Sequence, residues 1–381
     1  MNPTTTKIKA NFLTLLEFPI ISFVFLFLPA SLAVLQANAL ADFLYRYVQL
    51  LVSLLLIKIN TFPEPLSSVL GGNYGVVAML PFLLLYALPT VLIFTALICF
   101  YKQSGLTSHF SYGLHKFLKY FGLSGQDLVR VIMGYGCNVP AVVASRSCSS
   151  GSRCSCVSAI GIGSICSYQM SSSLAIFAAT GLTILVPLYV ALVGVSTLIY
   201  LRLIRPSSHL NLISKIEPPK PKGFQLPKLK NIISETSKTL KEFLVVALPT
   251  FLVICIISGL SESLGILTSI TQLLSPVMSL FNLPPEAALP IVLGSIRKDG
   301  IAVGLLDADL SSLKILIETP IQLLTVVYLA GVLLPCLVTV FTVIKEMRLR
   351  FAIKLVIKQA LFVSFFALLI AWLGNMAIIW Q

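Results

Sequence analysis

Apolar stretches long enough to cross a bilayer recur along this chain, and they limit its fold more than any other feature. A helix rises about 1.5 Å per residue, so roughly 20 apolar residues span a hydrocarbon core of about 30 Å. Such stretches occupy residues 16–35, 41–57, 74–101, 157–179, 181–203, 243–260, 321–344 and 353–374, with interrupted segments at 125–145 and 285–306. Only 11% of the 381 residues are charged and 57% are hydrophobic, with a mean hydropathy of +0.96. A soluble domain carries about 25% charge, so this chain could not cover its own surface in water. The expected fold is all-α: a polytopic transmembrane bundle of about eight spans plus two interrupted or re-entrant segments.

The net charge of +13 lies in loops, with nine Lys and Arg from Arg202 to Lys241 and five from Lys345 to Lys358. That distribution is how membrane proteins set their orientation, and it argues against nucleic acid as a partner. Both loops are expected to be cytoplasmic. Lys102, Lys116, Lys119 and Arg130 make a third basic stretch, whose side the span count leaves open. Residues 1–39 carry Lys7 and Lys9, a long apolar run with Pro19 and Pro29, and Ala37-x-Ala39. They read as a first transmembrane helix in preference to a cleaved signal.

Pro218, Pro219, Pro221 and Gly223 among lysines mark residues 204–240 as a basic linker at the cytoplasmic surface. The expected division is N-terminal helices at 1–60, a first half at 61–203, the linker, and a second half with the C-terminal helices at 241–381. Each half holds an interrupted segment, GYGCNVPA at 134–141 and LGSIRKDG at 293–300. Interruptions in corresponding positions point to a transport site between two structural repeats; two unrelated re-entrant loops are the alternative.

The first interruption has a readable local structure. Ser124 and Asp127 form a capping-box pattern, and Asp127 and Arg130 are spaced to pair on one helix. Gly134 and Gly136 then weaken the helix by about 1 kcal/mol each. Pro140 pushes Val139 toward an extended conformation, and Asn138 can cap a second helix restarting near Pro140. Unpaired backbone at membrane depth is tolerated where it is buried in protein or lines a cavity. Cys137 beside freed carbonyls and the Asn138 amide suits a borderline first-row metal; a Gly/Pro kink with a packed cysteine is the plainer reading. On a continuous helix at 156–177, Ser158, Cys166, Gln169 and Ser173 would share one face, either lining a pathway or mediating close packing.

Cys148, Cys154 and Cys156 lie in a polar loop without zinc-finger spacing, and read as either a surface thiol relay or idle reduced cysteines. Cys99, Cys255 and Cys336 stand singly in apolar runs and read as small hydrophobes. His109, His115 and His209 lack metal-ligand spacing. In the second interruption, Gly294 precedes Arg297, Lys298 and Asp299. Three such charges at a helix centre cost about 9 kcal/mol, which excludes a simple lipid-facing span. They belong in a polar interior or gate, or in a surface turn. No GxxxxGK[ST] loop occurs, and no HExxH, serine–histidine dyad or paired intramembrane aspartates mark an enzyme.

Several of these stretches together resemble the membrane part of the ferrous iron transport protein B (FeoB) family. GNYG at 72–75 is similar to that family's G-[DN]-YG, and GYGCNVPAVVASR at 134–146 to its first gate motif. Cys166 matches its second cysteine, LPPEAALPIVLGSIRKDGIAVGLL at 283–306 its second gate, and LLPCLVTVFTVIKEM at 333–347 its late VPC-containing helix. The departures are FYKQSGL at 100–106 for an acidic LEDSGY, Tyr168–Ser171 for A-R-L-P, and the extra Cys148, Cys154 and Cys156. The resemblance implies a non-enzymatic, multi-pass permease of a bacterial cytoplasmic (inner) membrane. Its cargo would be Fe²⁺ or a similar divalent metal, with no tightly bound cofactor. Cys137, Asn138 and Cys166 would be transient ligands, and Gly134, Gly136, Pro140, Gly294, Arg297, Lys298 and Asp299 gate residues. Implied partners are a separately encoded GTPase, a small Feo-type accessory protein and further copies of the chain. Two other readings stand beside it: a gate-type transporter of a nucleoside-like or anionic solute bound by Lys102, Arg297 and Lys298, and a non-transporting membrane scaffold.

Overall fold

The N-terminal apolar residues form one helix where two spans are expected. This helix, α1 (Pro19–Ile59), runs unbroken for 41 residues, because Gln36 to Leu40 between the two apolar runs hold neither Gly nor Pro. Its length is about 60 Å, twice the thickness of a hydrocarbon core. The protein was analysed as a computed structural model that describes residues 18–379 apart from 73–74, 83, 86–87, 150, 164, 205–222, 243, 246–247, 299, 302–304 and 306–318. Most of the linker, Asp299, and Asn73 and Tyr74 of GNYG therefore lie outside the described residues, as does the start of the 1–39 segment.

The first half continues with α2 (Leu66–Gly71), α3 (Val76–Phe82), α4 (Leu88–Ser104), α5 (Leu106–Lys119), α6 (Gly125–Gly136), α7 (Asn138–Ala144), α8 (Arg153–Gly163), α9 (Ser167–Ala179) and α10 (Leu185–Ile204). Helix α11 (Leu229–Glu242) follows, formed mostly from the end of the segment expected to be linker. Its apolar Leu229, Ile232, Ile233 and Leu240 recur at helical spacing among charges, and the helix packs on α4. The second half is α12 (Leu248–Ser263), α13 (Ile266–Met278), α14 (Ala288–Ile296), α15 (Pro320–Val332), α16 (Leu337–Met347) and α17 (Leu349–Ile379). No strand occurs among the described residues.

Among the described residues, three stretches are long and apolar enough to cross a membrane: Leu185–Ile204, Pro320–Met347 and Leu349–Gly374. A fourth, Thr268–Phe281 with Pro285–Ile296, is bent by 115°. The expected span at 157–179 is divided into two shorter helices, while the one at 321–344 lies within the Pro320–Met347 stretch.

Two cores hold the bundle. One joins α9, α10, α14, α15 and α17 through Phe177, Tyr189, Tyr200, Ile291, Tyr328 and Val363; the other joins α5, α6, α8 and α17 through Phe110, Leu114, Ile132, Ile160 and Leu355. One end of the bundle gathers the basic loops. Arg202 donates to the Tyr120 carbonyl at 3.2 Å, and Arg130 donates to the Ser147 hydroxyl at 2.8 Å. Both Arg146 and Arg153 pair with Glu346. The third basic stretch, whose side the sequence left open, therefore lies at the same end as the other two.

Those contacts also fix the relation between the halves. Because Arg130 of α6 reaches Ser147 just beyond α7, the α6–α7 pair enters from the basic end and returns to it. Arg153 opens α8 and Glu346 ends α16, so α8–α9 leaves the basic end while α15–α16 arrives there. In the second half, Gln322 near the start of α15 donates to the Asn282 carbonyl at 3.0 Å, just before α14 begins. Helix α14 thus enters from the opposite end to α6, so the two interrupted segments run in opposite directions. The sequence also relates the two: ALPT stands at 87–90 and again at 247–250. Gly134 and Cys137 keep the same register to the first ALPT as Gly294 and Arg297 keep to the second.

The Glu346 carboxylate, 9% exposed and shared by two arginines, ties the halves together. Glu346→Gln should destabilise the detergent-solubilised protein by about 1–2 kcal/mol, read as a lower Tm; the cost is moderated because Arg146 is itself exposed. An unchanged Tm would mean the pair does not couple the halves.

Candidate functional site

Four helix breaks face one another at mid-bundle. Cys137 separates α6 from α7 with extended angles, φ −155° and ψ 135°. Its counterpart in the second half, Arg297, follows α14 with φ −144° and ψ 142°. Cys166 precedes α9 at φ −65° and ψ 165°, and Cys336 precedes α16 at φ −59° and ψ 152°. Each cysteine is an N-cap residue, so all three sulfurs stand where a helix begins.

The local sequence explains the first break, with one shift from expectation. Ser124 and Asp127 form the capping box, with the Ser124 N–H and hydroxyl donating to Asp127 Oδ2 at 2.8 and 2.7 Å. The extended residue is Cys137, not Val139, and α7 restarts at Asn138. Pro140 is tolerated as the third residue of that helix, where its missing N–H has no intrahelical partner to lose. The 156–177 segment is not a continuous helix: it breaks before Cys166, leaving Ser158 on α8 and Gln169 and Ser173 on α9. All three are buried. Gln169 Nε2 donates to the Tyr189 hydroxyl at 2.7 Å, and a Cβ on Gly331 would fall 2.6 Å from both groups. Gln169 therefore binds α9 to α10 and α15.

The breaks converge. Cys137 and Cys336 pack with Tyr168 and Ile296 around Val139, Phe251, Cys255 and Val338. Cys166 is close enough to interact electrostatically with Cys137, Cys336 and Lys298. Buried Arg297 lies over the Phe251 ring at 4.6 Å and the Tyr168 ring at 5.9 Å. Buried Lys298 donates to the Leu334 carbonyl at 2.6 Å, at the α15–α16 break. Gln359 of α17, fully buried, donates to the Val332 carbonyl at 2.8 Å and the Gly161 carbonyl at 3.2 Å, joining the ends of α15 and α8. Ser167 donates to the Gly136 carbonyl at 3.0 Å. Among the described residues no donor reaches Asn138 Oδ1, although the side chain is 4% exposed.

Chemically this is a set of three soft donors and one unpaired amide oxygen, next to a fixed ammonium. It is not a closed cage. Among the described residues, only Asp127, Cys148 and Cys156 place three ligand atoms within 4.8 Å of one another, so the Cys137, Cys166 and Cys336 sulfurs are more widely spread. Cys154 does not join that closer cluster. A cavity of about 430 Å³ at the basic end, lined by Thr95, Lys102, Gln103, Pro140, Arg146 and Glu235, reaches the hairpin behind Cys137.

Cys336 and Gln359 were not legible as site residues. A cysteine or glutamine alone in an apolar run looks like packing until the fold places it at a break. The register of the two ALPT segments was the available signal that Gly294 and Arg297 repeat Gly134 and Cys137.

Comparison with known proteins follows the same division. The Gate family, described as nucleoside recognition, matches residues 84–196 and 244–350, together more than half of the chain. The chain is 25% identical over 313 residues to an Fe(2+) transporter FeoB of Methanocaldococcus jannaschii, covering 73% of this chain and 46% of that protein. It is 34% identical over 82 residues to an Fe(2+) transport protein A/Fe(2+) transporter FeoB fusion protein of Porphyromonas gingivalis, covering 22% of this chain and 9% of that protein. An Fe(2+) transporter FeoB of Staphylococcus aureus is 30% identical over 73 residues, 19% of this chain and 11% of that protein. The chain thus spans less than half the length of each of these relatives. No solved structure matches it significantly.

Replacing Lys298 by Met would strand the Leu334 carbonyl in a dry interior, at a cost of about 1–3 kcal/mol. Lys298→Met is expected to lower the Tm and to speed hydrogen exchange at the α15–α16 junction. Unchanged exchange there would show that the ammonium does not hold the break.

Proposed function

The chain belongs to the Gate family of nucleoside-recognition domains, and we propose that within it this protein is a permease for Fe²⁺ or a similar divalent transition metal. The observation that carries the reading is the convergence of Cys137, Cys166 and Cys336 at helix breaks with Asn138 Oδ1, which has no partner among the described residues. Sulfur with carbonyl-type oxygen favours a borderline first-row ion over Mg²⁺ or Ca²⁺. Its similarity to transporters named for Fe(2+) supports the same cargo.

Conduction needs binding weak enough to release. Spread sulfurs let an ion exchange between partial ligand sets instead of being trapped by all of them. Lys298, beside Cys166 and Cys336, acts as a resident positive charge that repels the cation once bound. Arg297 and Lys298, with Gly294 behind them, and Gly134, Gly136 and Pro140 on the other hairpin, form the two facing gates, to which Asp299 is also assigned. No covalent bond is made or broken, no cofactor is required, and the metal is cargo. The basic end faces the cytoplasm of an inner membrane, where a separate GTPase, a small Feo-type protein or further copies of the chain would dock.

One observation favours a second reading. Arg297 and Lys298 are buried cations, and Arg297 lies over the Tyr168 and Phe251 rings, an environment that would also accept an anionic or nucleoside-like solute.

Proteoliposomes loaded with an iron-quenched fluorophore separate these readings. Wild-type protein should admit Fe²⁺, and Cys137→Ala, Cys166→Ala and Cys336→Ala should each cut the initial rate by about tenfold or more, the loss of one soft ligand. Equal rates for the cysteine variants and wild type would overturn the ligand assignment. Uridine uptake without metal dependence would favour the second reading, and no flux of either solute would favour the scaffold.

A further inference from the structure

A second cluster of metal-ligating groups lies apart from the mid-bundle breaks, at the root of the α6–α7 hairpin. Asp127 comes from the first turn of α6, Cys148 from the loop after α7, and Cys156 from the first turn of α8. Their ligand atoms all lie within 4.8 Å of one another. The Cys148 and Cys156 thiols are close enough to share a hydrogen bond, and Cys156 Sγ lies 3.9 Å from the Asp127 carbonyl. Asp127 and Cys156 are buried and Cys148 is half-buried, so the cluster has one accessible side.

These spacings suit a tetrahedral ion. With metal–sulfur bonds of about 2.3 Å and metal–oxygen bonds of about 2.0 Å, neighbouring ligand atoms stand roughly 3.5–3.8 Å apart. The cluster's ligand atoms all lie within 4.8 Å of one another, so modest side-chain adjustment would bring them to that spacing. Asp127 is also oriented as ligating carboxylates are, by hydrogen bonds from outside the site. Its Oδ2 takes two short bonds from Ser124, while Oδ1, among the described residues, takes a 3.4 Å contact from Arg130 and keeps a lone pair to give.

We propose that Asp127, Cys148 and Cys156 form a second metal site, a two-thiolate, one-carboxylate site for a borderline divalent ion such as Zn²⁺ or Fe²⁺. Binding breaks two S–H bonds, forms two metal–sulfur bonds and releases two protons to solvent, so affinity rises with pH. The fourth position, on the Cys148 side, stays open to water or an exchanging ligand. Because the three ligands come from α6, the returning loop and α8, an occupied site staples the hairpin whose tip carries Cys137. The inference does not depend on what passes that tip.

Co²⁺ added to the reduced, detergent-purified chain should give near-ultraviolet sulfur-to-cobalt absorption. That absorption should fall about twofold or more in Cys148→Ser and persist in Cys154→Ser, in proportion to the thiolates retained. A second readout needs no variant. Trypsin cleaves after Arg146 and Arg153, and the peptide between them carries Cys148 as its one cysteine. Saturating Zn²⁺ should slow maleimide labelling of that peptide about tenfold, because the metal-bound thiolate is no longer the available nucleophile. A Cys148 labelling rate indifferent to Zn²⁺, or a cobalt spectrum unchanged in Cys148→Ser, overturns the site. Neither result bears on iron flux through the breaks.

Discussion

Each helix break in an apolar interior frees backbone groups that neither lipid nor neighbouring turns can satisfy, and the architecture depends on how this chain supplies their partners. Ser167 takes the Gly136 carbonyl, Lys298 takes Leu334, and Gln359 takes Val332 and Gly161 together. An unsatisfied group at that depth costs several kcal/mol. The partners are therefore conditions for the breaks to exist. They also cross between elements. Ser167 links one break of the first half to another, Lys298 links α14 to α15–α16, and Gln359 brings α17 between the two broken helices. The site is rigid where its carbonyls are held, and Cys336 Sγ lies 3.0 Å from the Thr339 hydroxyl, while the Asn138 oxygen has no partner among the described residues.

How much of this could be read from residues depended on whether the signal was local. GYGCNVPA contains its own reasons to break, and the Ser124–Asp127 box and Asp127–Arg130 pair were legible for the same reason: each is settled within a single turn. The break sat at Cys137 instead of Val139 because proline is constrained only by what precedes it, and the first turn of a helix asks no N–H of it. The 153–179 and 320–347 segments were harder. Their breaks at Cys166 and Cys336 follow runs that hydropathy reads as continuous, and Pro335 alone marks the second. Asp127 had a structural role ready for it, capping a helix, which hid its proximity to Cys148 and Cys156. Helix α1 failed in the opposite sense: two apolar runs were counted as two spans although nothing between them could end a helix.

The two opposed interrupted segments give the site an asymmetry that bears on the proposed transport. Cys137 and Arg297 occupy matching positions in the two halves, so one hairpin presents a thiol where the other presents a guanidinium. The neighbouring pair repeats the contrast, with the Asn138 amide set against the Lys298 ammonium. Three of the four breaks thus offer sulfur and the fourth offers positive charge. For a divalent ion about 6 Å from one ammonium, at an effective dielectric constant near 20, the repulsion is about 5 kcal/mol. That is comparable to the gain from a good soft ligand, and it acts only while the ion is present. A cage of four sulfurs would hold a transition metal as a structural site does. Substituting a fixed cation at one corner leaves enough affinity for selection and too little for retention. In the metal pathway proposed above, the cations of the second hairpin would not be an exception; they would be what allows the ion to leave.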